Sequence, residues 1–148
     1  MKFLSLIFLC LFGCQSLVYH HKVSKETTRE QKVYVAGLSG VSISGIDGDD
    51  VGVLDTVFVS PEVHAYKVKL NTSSGWGSAV TFKYTAPANS TNIICPIIEA
   101  GKKTWRPFVL FNEKDSTMYS LTLCNNYGFM AGSPWKRIEL EEALPPKK

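Results

Sequence analysis

The chain has 148 residues, 45% of them hydrophobic, and a formal net charge of +3. That length suits one domain with a real core, and so balanced a charge lacks the strong basic stripe of a nucleic-acid binder. The longest apolar stretch spans about ten residues, far short of the roughly 20 that a membrane-spanning helix needs.

That stretch, Phe3 to Phe12, follows the single positive residue Lys2. A charged start, a short apolar core and a small residue at its end form the layout of a secretory signal. The core closes in Leu11-Phe12-Gly13-Cys14, which resembles the bacterial lipobox. The resemblance implies cleavage before Cys14 and a covalent lipid, with palmitate-type acyl chains, on that cysteine. Gln15 stands where Asp would favour retention at the inner membrane, so the same resemblance implies an outer-membrane anchor facing the periplasm. The competing expectation is ordinary cleavage after Ser16 and secretion without lipid. The expected organisation is a signal peptide over 1–13, a flexible tether over 14–31, a β-sandwich domain over 32–144 and a frayed tail over 145–148.

Cleavage before Cys14 removes Cys10 and leaves Cys95 and Cys124 as the remaining pair. In an oxidising compartment an even pair predicts a disulfide. Closing a loop of about 30 residues is worth on the order of 3–4 kcal/mol in the chain-entropy description. No further cysteine or histidine lies near enough in sequence to make this pair a metal site.

The tether is polar and mixed in charge, without apolar periodicity. It contains His20-His21, two potential metal ligands that alone make a weak site. From Lys32 onward, Val, Ile, Tyr and Phe cluster in short runs punctuated by Gly, Pro, Asn and Asp, the pattern of strands. Candidate strands are 32–38, 41–46, 54–60, 63–70, 79–85, 91–95, 104–111 and 118–125. In 63–70, His64, Tyr66, Val68 and Leu70 fall on one face and Lys67 and Lys69 on the other. In 79–85, Val80, Phe82 and Tyr84 oppose Thr81 and Lys83. Period two with one polar face predicts an antiparallel sheet with one wet side. The polar, Gly-containing turn between the two predicts a hairpin. Pro107 predicts an edge strand or a bulge. Residues 136–144 are compatible with a short helix or a last strand. The expected fold is all-β: a single antiparallel β-sandwich of about seven or eight strands, Ig-like or transthyretin-like.

Ile46-Asp47-Gly48, followed by Pro61-Glu62-Val63-His64 and the alternating Tyr66-Lys67-Val68, resembles a pattern in small bacterial envelope lipoproteins. A later Glu99-Ala100-Gly101-Lys102-Lys103 echoes a further segment of it. The resemblance covers about half of the mature chain and implies a small sandwich without an assigned activity.

No Gly-x-Ser-x-Gly elbow, P-loop, dinucleotide fingerprint or HExxH is present. His64, on an apolar face, is expected to be a hydrogen-bonded core residue. Asp47, Asp49 and Asp50 have the composition of a calcium loop, but the twelfth position counted from Asp47 is Phe58, and a hairpin turn explains the same residues. No metal, catalytic residue, small-molecule substrate or cofactor other than the lipid is therefore expected. Lys67, Lys69, Lys83 and Trp76 are candidates for contact with an anionic surface or an envelope protein partner, or equally a charged face that resists aggregation. Asn71-Thr72-Ser73 and Asn89-Ser90-Thr91 fit the N-glycosylation pattern. They carry the alternative expectation, a secreted eukaryotic or viral glycoprotein that binds an extracellular partner.

Overall fold

In a computed structural model, residues 18–73, 75–98, 104–114, 122–126 and 133–140 are described. The lipobox and Cys14 lie outside them. The described chain forms two sheets. The first has the order β1 (Tyr19–His21), β5 (Thr56–Val59), β2 (Val33–Gly37), β9 (Thr91–Ile98), β10 (Trp105–Asn112) and β11 (Lys136–Ile138). The second has the order β4 (Asp49–Leu54), β3 (Val41–Ile46), β6 (Val63–Thr72) and β7 (Gly75–Trp76), with β8 (Val80–Thr85) also paired to β6. The all-β sandwich is as expected, with more strands than seven or eight.

Alternation decides which side chains enter the core. On β6, His64, Tyr66, Val68 and Leu70 are buried. On β8, Phe82 and Tyr84 join them. These meet Val33, Val35, Ile94 and Val109 from the first sheet in one cluster between the layers. Tyr84 donates its hydroxyl to Asn92 Oδ1 at 2.7 Å, satisfying two polar groups inside that layer.

The first sheet is apolar on its other face as well. Ala36, Leu38, Ile93, Cys95, Phe108 and Leu110 form a second cluster, covered by Leu123 and Cys124 of the short helix α1 (Leu123–Asn126). This explains why the run Ile93-Ile94-Cys95 does not alternate: both faces of a strand buried twice must be apolar. The expected disulfide joins Cys95 to Cys124, with Cα atoms 5.5 Å apart, and fixes the cover to the sheet.

Several expectations are corrected. A strand over 118–125 is not formed at its described end, where Leu123–Asn126 is helical and Asn125 N–H donates to Thr122 O. One helical turn sets Leu123 and Cys124 against the sheet, which a pleated strand would point to opposite sides. The tether expected over 14–31 is partly built into the domain. Tyr19–His21 form β1, and Arg29–Gln31 a 3₁₀ turn, where the Arg29 guanidinium donates to the carbonyls of Lys32 and Ser90. The first sheet is mixed, because β1 runs parallel to β5 and β2 runs parallel to β9. β4 occupies residues read as an Asp- and Gly-rich turn; only Asp47-Gly48 turn, with positive φ at both (53° and 92°), the geometry of a two-residue primed hairpin.

The expected pairing of β6 with β8 is formed, with His64 opposite Tyr84 and Tyr66 opposite Phe82. Pro107 stands opposite Pro96. β2 pairs with β9 only up to Ile94, and β11 pairs with β10 only from Val109. Both prolines therefore sit where no outer neighbour needs their missing N–H. Of the 136–144 segment, Lys136–Ile138 form β11.

Candidate functional site: a histidine–aspartate cluster at one end of the sandwich

The site is assembled from three places. His21 ends β1, Asp47 heads the β3–β4 turn, and His64 lies near the start of β6. The parallel register of β1 on β5, with His21 opposite Val59, brings the first sheet's edge to the end where β3 stops. The antiparallel register of β3 on β6, with Ile46 opposite Tyr66, places Asp47 beside Ala65. Asp47 N–H donates to Ala65 O at 2.8 Å, and Ala65 N–H donates to Asp47 Oδ1 at 2.9 Å. One carboxylate oxygen is thus fixed by backbone and the other is aimed inward.

That second oxygen, Oδ2, gathers three nitrogens. His64 Nδ1 lies at 2.8 Å, Lys22 Nζ at 3.0 Å and His21 Nε2 at 3.1 Å. His64 is fully buried and His21 is 5% exposed. The Asp47 side chain keeps 20% of its exposure and Lys22 52%, so the cluster opens to solvent on the Lys22 side. Burial alone opposes the Asp47 charge, but the hydrogen bonds from Ala65, His64, Lys22 and His21 outweigh it and hold the carboxyl well below the usual carboxylate range.

The far nitrogen of His64, Nε2, stands 3.0 Å from Ser60 O and 3.1 Å from Ser60 Oγ. Ser60 Oγ donates to Glu62 Oε1 at 2.9 Å. Ser60, His64 and Asp47 are therefore linked in series. The hydroxyl is engaged by Glu62 and the imidazole has no exposed surface, so this series lacks the free nucleophile and open cleft that acyl transfer needs. The rings of His21 and His64 meet edge to face with centroids 5.6 Å apart, and Tyr66 packs against His64.

His64 is the hydrogen-bonded core residue that its place in the strand predicts. Asp47 and His64, the polar residues of the Ile-Asp-Gly and Pro-x-x-His segments, are in direct contact. His21, read as half of a weak metal-binding pair in a tether, is not joined to Asp47 and His64 by sequence reasoning, because a three-residue strand is too short to show periodicity. Its one visible mark is the run Tyr19-His20-His21-Lys22 between Val18 and Val23.

The other candidates lie elsewhere. Asp49 and Asp50 are exposed on β4, and Asp50 Oδ1 accepts from Gly52 N–H; among the described residues Asp47 gathers with His21 and His64, not with these carboxylates. Lys67 and Lys83 are exposed and Lys69 is half-buried. With Ala65 opposite Lys83 and Ser42 opposite Lys69, all three share the outer face of the second sheet. Trp76 pairs with Asn71 at the far end of β6. Trp105 donates Nε1–H to Ser78 O at 2.9 Å and packs on the inner core, while Trp135 packs on the outer cluster. Asn71 and Asn89 are both exposed.

No protein-family model matches the chain, and no curated protein or solved structure shows significant similarity to it. No helix among the described residues is long and apolar enough to cross a membrane.

Proposed function

We propose that this protein is an exported lipoprotein, anchored through Cys14 to the outer membrane and facing the periplasm, whose β-sandwich has a binding or structural role and no catalytic one. The observation that carries the reading is the lipobox-like Leu11-Phe12-Gly13-Cys14 at the end of a short apolar core, with the fold beginning close behind it. β1 starts at Tyr19, so four residues, five Cα steps and at most about 17–18 Å of extended chain, separate Cys14 from the first sheet. The acyl chains supply membrane affinity at about 0.8 kcal/mol per buried methylene. The Cys95–Cys124 bridge suits an oxidising compartment. The burial of His64 removes the most obvious general base, which favours a non-catalytic role. A partner would then meet the lysine-bearing outer face of the second sheet or the end distant from the anchor.

The test is metabolic labelling with a radioactive fatty acid in a bacterial host, wild type against Cys14→Ala. Label on wild type alone is expected; a soluble, unlabelled mature protein would overturn the proposal. The exposure of Asn71 and Asn89 favours a second reading, a secreted glycoprotein that binds an extracellular partner. It predicts a mass loss on glycosidase treatment after eukaryotic expression, reduced stepwise by Asn71→Gln and Asn89→Gln.

A further inference from the structure

We infer that His21, Asp47 and His64 form a binding site for a divalent transition metal of the zinc class, with the Lys22 ammonium holding the cation position when no metal is bound. Each of the three offers one ligand atom, and these atoms lie within 4.8 Å of one another. A tetrahedral zinc with bonds of about 2.0–2.1 Å separates neighbouring ligand atoms by about 3.3 Å. The two nitrogen-to-Oδ2 distances of 2.8 and 3.1 Å are within a few tenths of that. Closing the gap between the two imidazoles requires a shift of His21, which sits on a three-residue edge strand; the His64 ring is held from all sides.

The surroundings orient these groups as ligands. A metal-bound histidine donates its other ring N–H to a carbonyl or carboxylate, and His64 Nε2 has Ser60 O at 3.0 Å for that purpose. Asp47 Oδ1 is held by Ala65 N–H, which leaves Oδ2 as the ligating oxygen. Two imidazoles and one carboxylate suit zinc and its neighbours rather than calcium or magnesium, which take oxygen ligands. Three protein ligands leave the fourth position toward Lys22 and solvent.

Proton balance follows from the geometry. In the metal-free state His64 Nδ1–H and His21 Nε2–H donate to Asp47. On binding, each of these nitrogens gives up its proton; in a neutral ring that proton moves by tautomer exchange through solvent to the far nitrogen, which for His64 then donates to Ser60 O, with no net proton released. A ring that was doubly protonated releases its proton to solvent. Lys22 retains its protons and swings outward, where Glu62 Oε1, already 3.8 Å from Nζ, receives it.

The full chain, freed of metal and dialysed against zinc chloride, is expected to retain one zinc per chain by elemental analysis and to gain thermal stability with rising zinc. X-ray absorption at the zinc edge should show two imidazoles. His21→Gln and Asp47→Asn should each weaken binding tenfold or more, whereas His20→Gln should not change it. Lys22→Ala, with its fold checked by circular dichroism, should tighten binding because the competing ammonium is gone. Absence of retained zinc in both wild type and Lys22→Ala would overturn the site. So would undiminished binding in folded His21→Gln, which would place the metal on other ligands. Neither readout depends on lipid or glycan, so the result stands apart from how the protein is anchored.

Discussion

At the scale of single residues, Asp47 concentrates the most physical consequence in one side chain. It adopts a left-handed backbone (φ 53°) in the turn, and Lys22, its ion-pair partner, does the same (φ 54°). Such conformations cost of order 1 kcal/mol or more for a residue other than glycine, and here the shared contacts on Oδ2 hold them. Replacing Asp47 by Ala leaves the buried His64 donor without an acceptor. We expect a loss of about 2–4 kcal/mol, measurable by urea denaturation. The pH dependence has a definite sign. A carboxyl whose folded pKa lies below its unfolded value stabilises the fold above the unfolded value, near 3.9. That contribution disappears as pH falls from there through the lower folded value. Wild type should therefore lose more stability between pH 5 and acid extremes (roughly pH 2) than Asp47→Asn, whose profile should be flatter over the same range. A parallel pair of curves would show that the charge is not what the cluster stabilises.

At the scale of elements, the outer cover of the first sheet depends on a covalent link. Replacing Cys95 and Cys124 by Ser should cost on the order of 3–4 kcal/mol and free α1 from the sheet. The exposed Ile93, Phe108 and Leu110 should then bind a hydrophobic dye, which the oxidised protein should not. The β2–β3 corner is equally constrained. Leu38 O accepts from Val41 N–H across Ser39-Gly40, and a Cβ on Gly37 would stand 2.1 Å from Val41 O. Gly37→Ala must displace backbone and should destabilise by about 1–3 kcal/mol. Most of these elements were legible. The alternation of 63–70 and 79–85 foretells both the hairpin and its buried face, and the Cys95–Cys124 pair follows from the cysteine count under the expectation of an oxidising compartment. What was illegible had physical causes. β1 and β4 are stabilised by pairing rather than by their own pattern, and the exposed Asp49 and Asp50 disguise β4 as loop. The helical turn at Leu123 answers the sheet it covers, a demand that its Val- and Ile-free sequence does not advertise. The half of the candidate site on β3 and β6 was visible as two motif residues; their meeting with His21 required the register of a strand that local sequence does not announce.

At the scale of the whole molecule, the registers sort the functional features between two ends. His21, Lys22, Asp47, Glu62, His64 and Asn89 lie at one. Tyr19 lies at the other, with a shallow groove lined by the Leu38–Gly40 corner, Val41, Asp55, Thr56 and Asn71. Under the proposed anchoring the groove faces the bilayer and the histidine cluster faces away. A spin label on Ser39 of the lipidated protein should therefore sense the membrane surface, while one on Glu62 should stay in bulk water; equal immersion of the two would contradict that orientation. The parallel alignment of β2 with β9 has one more consequence, a temporal one. Tyr34 meets Thr91 and Gly37 meets Ile94, so the centre of the first sheet cannot close until synthesis has passed Ile94, well beyond the middle of the 148 residues. Topologies of this kind fold in roughly milliseconds to seconds rather than microseconds. A nascent chain that cannot finish its central sheet early remains threadable, so under the proposed export, passage through a translocation channel can precede folding without a chaperone having to hold it open.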